Sequence, residues 1–219
     1  MFIGHFAAGF AGKHYASKVN LAWLVIAGAL VDLVWTVLLL SGIEHARIVP
    51  GLTQANPLDL YDFPWSHSLL ADLGWAALAG ALWWGWRKDA RGAVVIGAVV
   101  FSHWVLDLIS HTADLPLWPA SSIKVGLGLW RSLPATLIVE GTIWLVGLAI
   151  YVRATRPLDR RGGLGLWVYA ALMTALFAMS FAGPPPPDVQ VVAYVNLTIV
   201  PLLLWPAWFD RHRIAPKRI

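Results

Sequence analysis

Residues 92–111 read GAVVIGAVVFSHWVLDLISH, an apolar run that carries three ionisable side chains towards its end. A helix rises about 1.5 Å per residue, so roughly 20 residues cross the hydrocarbon core of a bilayer. His103, Asp107 and His111 are spaced i, i+4, i+8, which predicts that they share one face of a membrane helix. An aspartate at the centre of such a helix costs roughly 2.5–3.5 kcal/mol on insertion scales. Metal coordination accounts for the two imidazoles and the carboxylate together.

The composition predicts an integral membrane protein. Of the 219 residues, 58% are hydrophobic and 13% are charged, an apolar excess that is not typical of soluble domains. The net charge of +4 does not indicate a nucleic-acid partner, because the basic residues cluster in short loops and near the C-terminus. The chain contains no cysteine, so we expect any metal to be held by His, Asp and Glu.

Six apolar runs predict an all-α, polytopic helix bundle that forms one membrane domain over residues 1–219. Residues 2–17 are apolar but too short to cross, and they predict a short N-terminal helix that is half-inserted or part of a hairpin. Residues 1–153 would supply the metal-site helices, and 164–209 would add two spans without site motifs. The six predicted spans are 20–41, 67–87, 92–111, 133–153, 164–182 and 190–209.

Basic residues fall in alternate loops, which predicts the orientation of the bundle. The positive-inside rule places these loops in the cytoplasm, so both ends of the chain are expected to be cytoplasmic. The opposite loops, 42–66, 112–132 and 183–189, carry few basic residues. We therefore expect a multi-pass protein of a bacterial inner membrane, with its site facing the outer side. The basic clusters are Lys13 and Lys18; Arg87, Lys88 and Arg91; Arg153, Arg156, Arg160 and Arg161; and Arg211, Arg213, Lys217 and Arg218.

Ionisable side chains on four predicted spans lie at a similar depth, in the outer half of the membrane. Glu140 is seven residues from the outer start of its span, and Asp32 is nine residues from the outer end of its own. His5 reaches the same depth if the chain turns near Lys18 and forms a helical hairpin. The predicted metal ligands are His5, Asp32, His67, His103, Asp107, His111 and Glu140.

Several of these side chains have a plainer interpretation. A buried Asp or Glu can pair with a basic residue or serve helix packing, and His67 can be an ordinary interfacial residue. Glu44, His45 and Arg47 either line the mouth of the site, where Glu44 and His45 would bind substrate, or are ordinary loop residues. Arg131 and Lys124 either meet a lipid phosphate or are loop cations. The candidates for fixing imidazole tautomers are Ser66, Ser102 and Ser110.

Four short motifs carry a family resemblance. They are Gly4-His5, Pro64-Trp65-Ser66-His67-Ser68, Ser102-His103-x3-Asp107-x3-His111 and Asp114-Leu115-Pro116-Leu117-Trp118-Pro119. These motifs resemble the bacterial predicted membrane-bound metal-dependent hydrolases, the YdjM-like family, over roughly residues 1–145. The acidic pair that this family shows at the end of its first helix is represented here by Asp32 alone.

A more distant similarity concerns the helical zinc-dependent phospholipase C and single-strand nuclease superfamily. The order of its ligands, His, Asp, His, His-x3-Asp, His, Glu, is also the order of the seven predicted ligands. The resemblance implies a zinc cluster that hydrolyses phosphodiesters, with Asp107 bridging two metals and with Asp107 and Glu140 as the catalytic carboxylates. The histidine that the superfamily pairs with this glutamate has no counterpart beside Glu140, so the similarity implies one to three ions.

The sequence therefore predicts a metal-dependent hydrolase that acts on a phosphoester in a membrane lipid or lipid-linked substrate at the outer leaflet. Zn²⁺ suits imidazole and carboxylate ligands, and Mn²⁺ or Fe²⁺ also accepts them. Two alternatives stay open. Intramembrane His, Asp and Glu also build the pathways of metal-ion or proton-coupled transporters, and a metal can be purely structural.

Overall fold

The computed structural model describes residues 1–216, which form a helical bundle with little strand. With 66% of the chain in helices, the predicted all-α membrane fold is confirmed. Lys217 and Arg218, from the predicted C-terminal basic cluster, lie outside the described residues. The helices are α1 (Ile3–Tyr15), α2 (Leu21–Leu40), α3 (Pro64–His67), α4 (Leu69–Arg87), α5 (Ala90–Ser110), α6 (Leu133–Ala154), α7 (Arg160–Met179), α8 (Val189–Leu197), α9 (Val200–Leu204) and α10 (Pro206–Arg211).

Within residues 1–216, three two-stranded antiparallel ribbons lie between the helices. The first two fall within the segments predicted as outer loops, and the third joins the start of α7 to the residues after α10. Each is too short to form a sheet of its own, so the helices determine the architecture. The ribbons pair β1 (His45–Ile48) with β2 (Leu58–Asp62), β3 (Leu115–Pro116) with β4 (Lys124–Val125), and β5 (Arg156–Pro157) with β6 (Arg213–Ile214).

Five helices of the described chain are long and apolar enough to cross a membrane, one fewer than predicted. The predicted span over 67–87 is α4, whose 19 residues include four tryptophans and Asp72 and are less apolar than the others. This helix nevertheless packs closely along α5. A Cβ on Gly80 would lie only 3.0 Å from the carbonyl oxygen of Ala93, so glycine at this position lets the two helices approach. The five helices are Leu21–Leu40, Ala90–Ser110, Leu133–Ala154, Arg160–Met179 and Val189–Arg211.

The N-terminal helix α1 forms the predicted hairpin with α2 and lies inside the bundle. The backbones of the two helices are in direct contact, since a Cβ on Gly28 would meet the carbonyl oxygen of His5 at 2.3 Å. Only glycine permits this approach. The other side of α1 packs on α6 and α7, where Phe10 contacts Trp144 and Tyr169 edge-on and face-on respectively. Nine of the 13 residues of α1 are thus buried, although the helix is too short to span a membrane.

The predicted last span, 190–209, is interrupted. Turns at Thr198–Ile199 and at Trp205 divide it into α8, α9 and α10. Pro201 and Pro206 each lie in the first turn of the helix that follows a break. Proline has no backbone N–H and cannot continue the hydrogen-bond ladder of the preceding helix, which explains both breaks.

A buried polar network joins the C-terminal helix to the α1–α2 hairpin. The carboxylate of Asp210 accepts hydrogen bonds from Lys13 Nζ at 2.7 Å, Tyr151 Oη at 2.7 Å and the backbone N–H of Leu21 at 2.9 Å. Lys13 also donates to the carbonyl oxygen of Val19 at 2.8 Å. The sequence gives no sign of this network, because Asp210 is 59 to 197 residues away from the groups that donate to it and none of them belongs to a motif.

The two ends of the described chain lie at opposite ends of the bundle. The amino group of Met1 contacts Asp107, whereas Ala215 and Pro216 border a pocket of about 410 Å³ with Arg91 and Arg153. The predicted cytoplasmic location of both ends stays a prediction, since this arrangement does not by itself identify the side of a membrane on which either end lies. Because α1 and α2 form a hairpin, the start of α1 lies at the end of the bundle that contains Asp107. Arg91 and Arg153 lie at the other end.

Removing the buried carboxylate should destabilise the bundle strongly. We expect Asp210→Ala to lower the free energy of unfolding in detergent micelles by about 3–5 kcal/mol, because Lys13 would remain buried without its counter-ion. The double variant with Lys13→Met should recover part of this loss, since it removes the unpaired charge.

The matched control is Asp59→Ala, which breaks the more exposed pair with Arg47. An exposed pair contributes about 0.2–1 kcal/mol, so the control should unfold almost like the wild type. Equal losses in Asp210→Ala and Asp59→Ala would contradict a stabilising role for the buried network.

Candidate metal centre

Side chains from four helices surround the carboxylate of Asp107, which is 1% exposed. His5 comes from α1, Asp32 from α2, His67 from α3 and His103 from α5. Their imidazole and carboxylate groups form two sets in which all potential ligand atoms lie within 4.8 Å of one another. One set is His5, His103 and Asp107, and the other is Asp32, His67 and His103. These groups could hold a metal ion.

The distances centre on Asp107. Its Oδ2 lies 3.2 Å from Nε2 of His103 and 3.6 Å from Nε2 of both His67 and His111. Its Oδ1 lies 3.1 Å from Nε2 of His5 and also contacts the amino group of Met1. The two oxygens of one carboxylate thus face different imidazoles, which is the arrangement of a bridging ligand.

Asp32 supplies the second carboxylate. Its Oδ1 lies 3.6 Å from Nε2 of both His67 and His103. The side chain of Asp32 is 36% exposed, whereas those of His67 and His103 are at most 5% exposed. The centre is therefore accessible from the side on which Asp32 lies.

His67 does not begin the second span as predicted. It ends the short helix α3, and Ser68 then adopts an extended conformation with φ −72° and ψ 148°. The Ser68 hydroxyl accepts from the backbone N–H of Ala71 at 3.2 Å and caps α4. Because an N-cap residue leaves the helical conformation, His67 points to the centre from a separate element.

His111 is also outside the helix to which the i, i+4, i+8 spacing assigned it. Helix α5 ends at Ser110, and His111 has an extended backbone with φ −65° and ψ 152°. Its backbone N–H still donates to the carbonyl oxygen of Asp107 at 2.8 Å, which keeps it next to the last turn. Its ring lies beside that of Trp130, with the centroids 4.2 Å apart.

Three of the imidazoles have their Nδ1 atoms occupied by acceptors. His103 Nδ1 donates to the carbonyl oxygen of Gly28 at 2.9 Å, and His111 Nδ1 donates to Asp114 at 2.9 Å. His67 Nδ1 lies 2.7 Å from the hydroxyl of Ser66. With the proton on Nδ1, each ring directs the lone pair of Nε2 towards Asp107. Metal-binding histidines typically show this arrangement.

The hydroxyl of Ser66 is itself oriented by Glu44. Ser66 donates to Glu44 Oε2 at 2.6 Å, so its oxygen is left to accept from His67. Glu44 Oε1 accepts from the backbone N–H groups of Trp65 and Ser66 at 2.7 and 2.8 Å. Glu44 is fully buried, so it holds α3 in place rather than lining the mouth of the site.

The lone pair on Nε2 of His103 faces the carboxylate oxygen Oδ2 of Asp107, an arrangement that suits a cation between the two atoms. Nε2 of His103 is buried and has no hydrogen-bond partner within residues 1–216, although Asp107 Oδ2 is only 3.2 Å away. An imidazole lone pair and a carboxylate oxygen at this separation repel unless a positive charge lies between them. Because three rings converge on the same oxygen, one multivalent cation matches the geometry better than a separate proton on each ring. The donor set of imidazoles and carboxylates suits a divalent transition metal.

The remaining predicted residues lie outside the two sets. Glu140 is 1% exposed and accepts from the backbone N–H of Phe2 at 2.9 Å, so it fixes the start of α1 and hence the position of His5. Ser110 lies 3.4 Å from the amino group of Met1. Ser102 is not near the centre, because its hydroxyl donates to the carbonyl oxygen of Val99 at 2.6 Å.

A cavity of about 130 Å³ adjoins the centre. It has room for roughly four waters at ~30 Å³ each, which is also enough for a phosphoryl group. His45 and Arg131, predicted to bind substrate, are not among the described residues that line it. His45 is exposed and pairs with Asp62, whereas Lys124 donates to the carbonyl oxygen of Tyr61. The lining residues are Met1, Asp32, Trp35, Asn56, Leu58, Leu60, His67, Asp107, His111 and Trp130.

Comparisons with family models, with curated proteins and with solved structures give no match for this chain. The family resemblance inferred from the motifs therefore stays a prediction.

Disturbing the hydrogen bond behind His67 should weaken metal binding. We expect Ser66→Ala to reduce the affinity for zinc by about 10–100-fold, because His67 would lose the acceptor that fixes its tautomer. Competition with a chromogenic chelator measures the affinity in detergent solution.

Ser102→Ala is the matched control, since both substitutions remove one hydroxyl and only Ser66 contacts an imidazole. The control should bind zinc like the wild type. A wild-type affinity in Ser66→Ala would show that the Glu44–Ser66–His67 hydrogen bonds do not support a metal centre.

Proposed function

We propose that this protein is a metal-dependent hydrolase that cleaves a phosphoester in a membrane lipid or lipid-linked substrate. One observation carries the proposal. Three imidazoles have their Nδ1 atoms bonded to acceptors and turn their Nε2 atoms towards the same carboxylate oxygen of Asp107. The cavity beside Asp32 gives a substrate access to this point, whereas a metal that only held helices together would need no open side.

Zinc is the ion that we propose for the centre. Imidazole and carboxylate ligands without cysteine suit Zn²⁺, and the same ligands accept Mn²⁺ or Fe²⁺. His103 belongs to both ligand sets and has only Nε2 free, so it would bind one ion, whereas Asp107 faces imidazoles with both of its oxygens and would be able to bind two. When bound, such ions supply a nucleophilic water at neutral pH and offset the charge that develops on a phosphoryl group.

The residues of the chain have separate tasks in this proposal. Asp107 belongs to one ligand set and also faces His67 of the other, and Gly28, Ser66 and Asp114 keep the three imidazoles in one tautomer. Glu140 acts as a positioning residue, because it holds the N-terminal turn of α1 that carries His5. Asp32, the most exposed member of the sets, borders the cavity in which the phosphoryl group would lie.

We further propose that the centre faces the outer side of a bacterial inner membrane. Arg91 and Arg153 border a pocket at the end of the bundle opposite to Met1 and the centre. By the positive-inside rule, that basic end faces the cytoplasm. The cavity then lies at the depth of lipid headgroups in the outer leaflet.

Single-cysteine variants test this orientation, since the natural chain has no cysteine. We expect a membrane-impermeant maleimide to label Ser122→Cys, in the loop at the centre end, on intact spheroplasts. Ser17→Cys, at the turn between α1 and α2, should be labelled only after permeabilisation. The reverse pattern would overturn the proposed orientation.

Metal content and hydrolysis test the function itself. We expect the gently extracted protein to carry at least one equivalent of zinc, manganese or iron, and to release phosphorylated or dephosphorylated headgroup from phospholipid vesicles. His103→Ala should lose the metal and the activity, because His103 belongs to both ligand sets. His45→Ala, which changes an exposed histidine outside the centre, should keep both.

Less than one equivalent of metal in the wild-type protein would overturn the proposal. The alternative is a metal-ion or proton-coupled transporter. It requires a polar path to the basic end, and the buried side chains of α1 between His5 and Lys13 include Phe6, Ala7 and Phe10. Metal uptake into proteoliposomes that His103→Ala abolishes would favour transport over hydrolysis.

A further inference from the structure

An apolar groove of about 520 Å³ lies beside the candidate metal centre. Its walls come from α2, from the end of α7 and from α8 and α9, so it is the last two predicted spans that create it. The groove size is within the range of roughly 300–1,000 Å³ that ligand sites in proteins occupy. Apolar side chains such as Leu176, Met179, Val192 and Val195 provide most of the lining.

The groove and the cavity at the metal centre meet at α2. Asp32 and Trp35 are lining residues of both. Asp32 is also the member of the centre with the largest exposed fraction, 36%. The open side of the polar site is therefore the side on which the apolar groove begins.

The groove opens sideways, towards the surroundings of the bundle. Met179 is 66% exposed and Val195 is 62% exposed, although both are large apolar side chains. They belong to helices that are long and apolar enough to cross a membrane. An occupant would thus enter from the hydrocarbon layer and not from water.

A polar contact fixes the groove wall against the centre. Asn196 on α8 donates from Nδ2 to Thr36 Oγ1 at 2.6 Å and to the carbonyl oxygen of Asp32 at 3.3 Å. Hydrogen bonds between membrane helices fix their relative positions. This contact holds α8 next to the residue that links the groove to the centre.

We propose that the groove binds one acyl chain of a glycerophospholipid whose phosphate group lies in the cavity beside Asp32. The acyl chain is the apolar group that a bilayer supplies in excess at this depth. The placement of the phosphate rests on the proposed hydrolase function, whereas the placement of the chain rests on the groove alone. Helices α7 to α9 would then select substrates that carry a chain, which gives the last two spans a role in specificity.

Photo-crosslinking tests the placement of the chain. The probe is a phosphatidylglycerol with a diazirine in the middle of one acyl chain, in vesicles of phosphatidylethanolamine and phosphatidylglycerol. We expect peptides from the end of α7 and from α8 to be labelled at least fivefold more than the exposed face of α6. Val195→Trp should reduce the groove label at least fivefold, because the indole ring fills the space.

Val146→Trp is the matched control, since Val146 is also an exposed valine, on α6 and outside the groove. It should leave the groove label unchanged. If Val195→Trp fails to fold, as judged by its melting temperature, Met179→Trp obstructs the groove from the α7 side. Equal labelling of the groove and of the α6 face, or a groove label that Val195→Trp or Met179→Trp leaves unchanged, would overturn the inference.

His103→Ala separates this inference from the proposed function. The variant should keep the groove label while it loses metal and hydrolysis. Groove labelling of a wild-type protein that shows no hydrolytic activity would contradict the proposed function and leave the acyl-chain site intact. Hydrolysis of vesicle phospholipid without groove labelling would contradict the acyl-chain site and leave the function intact.

Discussion

The structure depends on one buried carboxylate. Asp107 is 1% exposed inside an apolar bundle, where an unpaired charge is costly. The amino group of Met1 contacts one oxygen of this carboxylate, and the Nε2 atoms of His67, His103 and His111 face the other. The imidazoles and carboxylates gathered here could hold a metal ion. The imidazoles of His103, His67 and His111 are held in this orientation by hydrogen bonds to Gly28, Ser66 and Asp114 respectively. The candidate centre therefore depends on residues beyond those that face Asp107.

The centre also depends on close helix packing. The glycine at position 28 lets α1 approach α2, and its carbonyl oxygen then accepts from His103. The same residue therefore positions His5 and fixes the tautomer of His103. The ring of His5 stacks on that of His103, with the centroids 3.6 Å apart. At the far end of α1, Lys13 pairs with Asp210, so both ends of a helix too short to span the membrane are held in the core.

Much of the site could be predicted because its members are rare residues in an apolar background. His103 and Asp107 are recognisable by their spacing on one helix, and His5 and Asp32 by their distance from the turn of the hairpin. Glu44 and Asp114 could not be recognised in their roles, since a carboxylate in a polar loop carries no sign that it will be buried behind an imidazole. The Lys13–Asp210 pair was equally hidden, because only tertiary packing brings the two residues together.

The sequence by itself determined the all-α class, the approximate spans and the depth at which ionisable groups gather, because hydropathy and helical periodicity depend on local composition. It also limited the candidate metal ligands to imidazoles and carboxylates, since the chain has no cysteine. Only the tertiary structure decided that His67 and His111 lie outside the long helices, that residue 1 lies beside the centre, and that α7 to α9 form a groove next to Asp32. These features depend on where chain segments meet after folding, and no local pattern encodes that.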